Sequence, residues 1–323
     1  MIRRIVCFLA VLTFVMYGAS VSGAQQTVPR AKFGATFYQP HTSGSDGWDT
    51  ARWNLELSQI AAAGIGTVIV QSTVDDGGVA SYPAKALPKG ADVTTPLLGA
   101  ASANGVKVWL GLAGPGYWGF YQNAADPAYT AQLLARQKSV AAELTSRYPG
   151  RIAGWYVPQE VDDALLLDSA KVAGARAYYT DLVAYLQSTT GLRVMASPFY
   201  LGGRLDPGQF AWRLGALFNP TRINVLAVQD GGGNGYGADQ IGRYFHALRY
   251  VLRPALWTNA DMYDMALGGG PMQPAKLQAN LTAVQPYVSG YTGYSFTTQL
   301  GPWDLGTFAY YDAYRAYAQG TAP

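Results

Sequence analysis

Apolar positions along this chain follow two alternating periods. Short runs rich in β-branched and aromatic residues are each followed by a longer segment with apolar residues at helical spacing. The short runs predict strands at 32–40, 67–74, 107–114, 152–160, 193–200, 224–230, 255–263 and 290–298. The longer segments predict helices near 49–63, 94–104, 127–147, 169–189, 206–218, 239–253, 274–287 and 304–318. Leu55, Ile60 and Ala63 carry the spacing on the first helix, while Pro127 and Pro274 mark helix starts and Gly105, Gly150 and Gly191 mark stops. Eight such units, with no composition break or linker, predict an α/β protein, a single-domain (β/α)8 TIM barrel. The competing architecture is an open doubly wound sheet, but no glycine fingerprint for a dinucleotide follows the first strand.

The N-terminus has a different pattern. Two arginines, Arg3 and Arg4, precede an apolar run from Ile5 to Tyr17, and small residues lead to Ala24. That arrangement predicts a signal peptide over 1–24, cut after Ala24, with the barrel over 25–323 and a secreted or periplasmic location. The run is too short to span a bilayer, and no later stretch approaches ~20 apolar residues. Cys7, the only cysteine, would leave with the peptide, so disulfides, thiol nucleophiles and thiolate metal sites are all excluded from the mature chain.

Charge narrows the partners. Loss of Arg3 and Arg4 would bring the formal net charge from +3 to about +1, and no basic run of five or more occurs. Nucleic acid and membrane surfaces are therefore not expected as partners. The chain holds 23 Tyr and 8 Trp; such rings offer a flat apolar face with a polar edge, which suits sugars.

In a barrel of this kind the chemistry belongs at the C-terminal ends of the strands. His41 and His246, the two histidines, share no ligand spacing, so no metal is expected. No lysine ends a strand, which argues against Schiff-base cofactors, and no G-x-S-x-G elbow occurs, so no cofactor is expected either. The glycine runs Gly231–Gly233 and Gly268–Gly270 offer a phosphate cradle or, more simply, flexible loops.

Carboxylates remain. Glu56 and Glu143 fall on helices, and Glu160 alone among the glutamates ends a strand. Asp261 ends the seventh strand and would face Glu160 across the bowl, with Asp162, Asp163, Asp230 and Asp264 competing for its role. Glycosidic-bond cleavage needs two carboxyl groups flanking the bond. Glu160 is the candidate general acid and Asp261 the candidate second carboxylate. The shorter Asp261 side chain leans toward the wider separation of an inverting pair.

An amide residue before the strand-four carboxylate, here Gln159-Glu160, with a carboxylate ending strand seven, resembles clan A glycoside hydrolases. More closely, the chain resembles a bacterial family of glycoside-hydrolase-like barrels catalogued as domain of unknown function 4434. The matching pieces are Gly34-x-x-Phe37-x-Gln39-Pro40, the run Gly64 to Gln71, Gly154-Trp155-Tyr156-x-Pro158-x-Glu160, Ser197-Pro198-Phe199, Gln229-Asp230-Gly231 and Trp257-x-Asn259-x-Asp261-x-Tyr263. The resemblance implies a sugar-processing barrel with Glu160 as acid/base and Asp261 at the nucleophile position. Asp261 stands where the family pattern has Glu, one methylene longer.

Tyr38, Trp118, Tyr156, Tyr263 and Trp303 are the candidate aromatic contacts to a carbohydrate substrate. Gln39, Gln71, Gln159, Gln229, Asp230 and Asn259 are the candidate polar contacts that would fix its hydroxyls. Mid-strand Trp109 and Trp257 are expected to fill the barrel. The resulting reading is a glycoside hydrolase acting on a poly- or oligosaccharide. The alternative is a non-catalytic carbohydrate-binding barrel.

Overall fold

The computed structural model describes residues 30–40, 44–114, 117–200 and 204–321, with the backbone alone for Tyr117 and Trp118. The predicted signal peptide lies outside the described residues. Eight strands close a parallel barrel: β1 (Ala35–Tyr38), β2 (Thr67–Val70), β3 (Lys107–Gly111), β4 (Gly154–Val157), β5 (Arg193–Ala196), β6 (Val225–Gln229), β7 (Ala255–Asp261) and β10 (Gly290–Tyr294). The barrel is completed by β1 pairing with both β2 and β10. A two-stranded antiparallel hairpin, β8 (Tyr263–Asp264) with β9 (Gly270–Pro271), rises just after β7. Helices return the chain between strands, so the fold is the (β/α)8 barrel that the periodicity predicts, in one domain. Among the described residues, no helix is long and apolar enough to cross a membrane.

The strands are shorter than their apolar runs, and prolines explain two of the ends. Pro158 follows β4 and Pro198 lies two residues past β5. Neither can donate to a ladder, so pairing stops while the chain keeps its extended course toward the rim. The last predicted helix also divides. A short turn, Pro302–Leu305, closes on Gly306 in the left-handed region (φ 65°), and the terminal helix begins only at Ala309.

Alternation along each strand sorts side chains between two cores. Outward residues such as Val68, Leu110, Trp155, Val157, Val194 and Leu226 pack beneath the helices. Inward residues fill the barrel: Ala35, Phe37, Ile69, Trp109, Tyr156, Met195, Val225 and Ala227, with Trp257 and Tyr294 against them. Trp109 and Trp257 face one another at 6.3 Å across the interior, as the mid-strand positions predict. Their bulk is matched by glycines on the neighbouring strands, since a Cβ at Gly154 would run into the Trp109 indole and one at Gly290 into Trp257. Gly154→Ala is therefore expected to destabilise the barrel by about 1–3 kcal/mol, the usual cost of overpacking. A denaturant midpoint unchanged in that variant would contradict this account of the interior.

Candidate active site

The inward positions change character toward the C-terminal end of the barrel. On β6 they run Val225, Ala227, Gln229, and on β7 Ala255, Trp257, Asn259, Asp261. Apolar filler thus gives way to amides and carboxyls at the rim. Phe37 and Tyr156, edge to face at 5.0 Å, form an aromatic floor, and Tyr294 leans on Phe37 at 5.9 Å. Above the floor opens a cavity of about 250 Å³ lined by Phe37, Gln71, Tyr156, Glu160, Gln229, Asn259, Asp261, Tyr263 and Tyr294.

Glu160 reaches that cavity because its neighbour is anchored the other way. Gln159 is fully buried toward the helices, where its Oε1 accepts from Tyr178 Oη at 2.7 Å and Gln137 Nε2 at 3.2 Å. Its Nε2 donates to the Ala113 carbonyl at 3.0 Å, and Tyr179 Oη donates to its backbone carbonyl. With Gln159 pinned outward, alternation turns Glu160 inward. Gln229 Nε2 donates to Glu160 Oε1 at 2.9 Å and to the Ser197 carbonyl at 3.2 Å. Burial pushes the Glu160 carboxyl up to about 7, with the Gln229 hydrogen bond pulling back and the charge of Asp162 adding to the rise.

Asp261 enters from β7, registered opposite Tyr294 on β10. Its Oδ2 accepts the Gly233 amide at 3.1 Å. Behind it, Asp230 Oδ1 accepts the Gly232 amide at 2.9 Å and the Asp261 amide at 3.2 Å. The glycine run after β6 is therefore a carboxylate clamp, its successive amides shared between two acids. A Cβ at Gly233 would collide with Tyr263, so the backbone can approach Asp261 only as glycine. Burial raises the Asp261 carboxyl well above the usual range, the neighbouring Asp230 raises it further, and the Gly233 amide and Tyr263 hydroxyl oppose the rise. Asp230 is also raised by burial, against the pull of its two amides.

The other candidate acids are engaged elsewhere. Asp162 caps the turn Asp163–Leu166 through the Leu165 amide at 2.6 Å. Asp264 caps the next 3-10 turn and pairs with Lys276 at 2.8 Å. Asp163 is buried outside the cavity lining. Glu56 is buried against Arg52 at 3.0 Å, and Glu143 holds Arg147 and the Lys85 amide on a helix.

The remaining sequence candidates divide by position. Gln71, Tyr156, Gln229, Asn259 and Tyr263 join the two carboxyls in the cavity. Gln39 sits beside it, its Oε1 accepting from Tyr294 Oη at 2.6 Å. Tyr38 points out of the barrel, bonded to Ser45 and packed on Trp53, while Gln159 and Asp230 brace the wall from behind. Trp303 is 52% exposed beside Phe308, away from the lining, and the Trp118 side chain lies outside the described residues. One lining residue, Phe37, and the Gly233 amide were not among the sequence candidates. Counting inward positions in steps of two from each strand end finds the Phe37 ring; nothing local finds the amide. Among the described residues, no three histidine, cysteine, aspartate or glutamate side chains gather as a metal site.

A family model described as "Domain of unknown function (DUF4434)" matches residues 34–302. Among solved structures, the chain is similar to a candidate α-L-fucosidase from Bacteroides thetaiotaomicron, at 20% identity and a TM-score of 0.74, over 94% of this chain and 99% of that one. It is similar to a broad-specificity endoglucanase from Clostridum cellulovorans at 14% identity and 0.59, over 90% and 94% of the two chains. An endo-1,4-β-mannanase from Rhizomucor miehei matches at 11% identity and 0.56, over 82% and 86%. No curated protein matches the chain. These likenesses are of fold.

Proposed function

The chain belongs to the DUF4434 family, a domain of unknown function, and we propose that it is a glycoside hydrolase using Glu160 and Asp261 on a poly- or oligosaccharide. One observation carries the reading: two carboxyls, both raised by burial, line one cavity over an aromatic floor. Barrels of similar fold that are described as an endoglucanase and a mannanase add support. An acetal carbon leaves its oxygen more readily when that oxygen is protonated, and the developing positive charge needs a carboxylate or an activated water opposite. Glu160 with its carboxyl near 7 keeps a proton to give in the neutral range. Gln229 Nε2 occupies Oε1 as a donor, which leaves the proton to Oε2. As the bond from C1 to the leaving oxygen breaks, that oxygen takes the proton. Asp261 either attacks C1, forming an ester that a water then cleaves as the now ionised Glu160 takes its proton, or takes a proton from a water that attacks C1 directly.

The direct test is a panel of polysaccharides and oligosaccharides incubated with the protein, reading new reducing ends. Release from at least one glycan is expected. Binding across the panel without any release would leave the sugar-binding barrel in place and remove the enzyme.

Asp230 supplies a pH test that leaves the cavity untouched. Asp230→Asn keeps the Oδ1 acceptor for the Gly232 and Asp261 amides but removes a charge facing Asp261. Loss of a like charge makes Asp261 easier to ionise, so the acid limb of the rate profile is expected to move to lower pH. An acid limb that stays in place would mean that Asp261 is not the group ionised on that side.

A further inference from the structure

We infer that the cavity selects a sugar ring bearing no acidic group, and that Asn259 reads it by accepting a hydrogen bond from one ring hydroxyl. This deepens the reading of the bowl as a glycoside site and rests on it. The orientation of the Asn259 amide follows from its neighbours. Ser197 Oγ lies 2.7 Å from the Ala227 carbonyl, which can only accept, so the serine hydroxyl donates there. The serine oxygen is then the acceptor for Asn259 Nδ2 at 3.0 Å. With the nitrogen committed to the wall, Oδ1 is fixed as an acceptor. The side chain is 3% exposed and lines the cavity, and among the described residues its Oδ1 has no partner. A buried acceptor left unmet is costly, and a donor brought by the ligand relieves it.

The rest of the lining points to the same chemistry. Its two carboxyls are Glu160 and Asp261, with Asp230 directly behind, and no described lysine or arginine lines the cavity. The nearby Lys276 is held by Asp264 at 2.8 Å. A carboxylate, sulfate or phosphate on the ring would meet acids and no cation, whereas hydroxyls meet acceptors. A volume of about 250 Å³ also falls below the ~300–1,000 Å³ of pockets for drug-sized ligands, which suits a single ring.

The experiment measures binding, not turnover. Methyl glycosides of glucose, mannose, galactose and fucose, their monodeoxy analogues, and methyl glucuronide and galacturonide are titrated calorimetrically into the protein. At least one neutral glycoside is expected to bind, its uronide at least ~10-fold more weakly, and one monodeoxy analogue ~10–100-fold more weakly. In Asn259→Ala the neutral glycoside and that analogue should bind alike, while the other deoxy positions keep their ranking. Should that variant fail to fold, Ser197→Ala, which frees the amide to rotate, is expected to blunt the same distinction. A uronide that binds as tightly as its neutral counterpart, a distinction that survives Asn259→Ala, or no binding by any neutral glycoside would each overturn the inference. The expected binding pattern without cleavage of any glycan would instead sink the hydrolase reading and leave this one standing.

Discussion

Glu160→Gln is expected to lower the hydrolysis of natural glycans by about 100- to 10,000-fold, the usual contribution of a positioned acid. The amide keeps the size of the side chain and an acceptor for Gln229 but has no proton to give. Leaving-group chemistry separates this from mere damage. A sugar alkoxide is a poor leaving group and needs the proton, whereas a dinitrophenolate leaves without it. The loss should therefore be large on oligosaccharides and small on a dinitrophenyl glycoside of the same sugar. Equal losses on both would mean that Glu160 shapes the cavity and does not serve as the acid.

The same substitution has a stability signature of known sign. The folded Glu160 carboxyl sits near 7, above the ~4.3 of a free glutamate, so the native state holds its proton where the unfolded chain has released it. Below about 4 both states are protonated and the group costs nothing. As pH rises through that window the parent loses about 1.4 kcal/mol per pH unit, roughly 4 kcal/mol in all, and above 7 the loss levels off. Glu160→Gln should match the parent near pH 4 and exceed it at pH 8. A group that destabilises the fold at working pH is one the fold has reason to keep for its chemistry.

Different physical rules governed the parts of this molecule that its sequence made legible and the parts that it did not. The eight strands and their helices follow from local periodicity, and the strands begin where their apolar runs predict, though the last helix is divided at Gly306 and the last predicted strand ends at Tyr294. The bowl's direct lining was largely readable for the same reason, because Glu160, Gln229, Asn259 and Asp261 lie on inward steps of their strands. Gln159 and Glu160 are adjacent, and alternation alone sends them to opposite sides; the choice between them is made by Tyr178, Gln137 and Ala113, distant in sequence. Tyr38 likewise ends a strand but faces Trp53 in the helix layer. Least legible was the glycine run. Gly231–Gly233 resembles a flexible loop or a phosphate cradle, and only the closed barrel brings β7 beside it so that its amides meet carboxylates of the chain itself.

That clamp is what makes Asp261 the second site of large effect. Asp261→Asn is expected to cut the rate at least as deeply as loss of an acid–base group does, about 100- to 10,000-fold, because both candidate roles need its negative charge. Asn keeps an acceptor for the Gly233 amide, so the loop should hold and the Tm should change little or rise, since a buried carboxyl beside Asp230 is removed. Added azide then distinguishes the roles. It bonds to C1 as the leaving oxygen departs, from the face that Asp261 guards. If Asp261 is the nucleophile, the parent gives a sugar of retained configuration and the azide product is inverted. If Asp261 activates water, the parent product and the azide product are both inverted. Two anomeric proton spectra, one per protein, decide it. A variant that hydrolyses glycans within a few-fold of the parent would remove Asp261 from the mechanism and leave Glu160 without a partner among the described acids of the cavity.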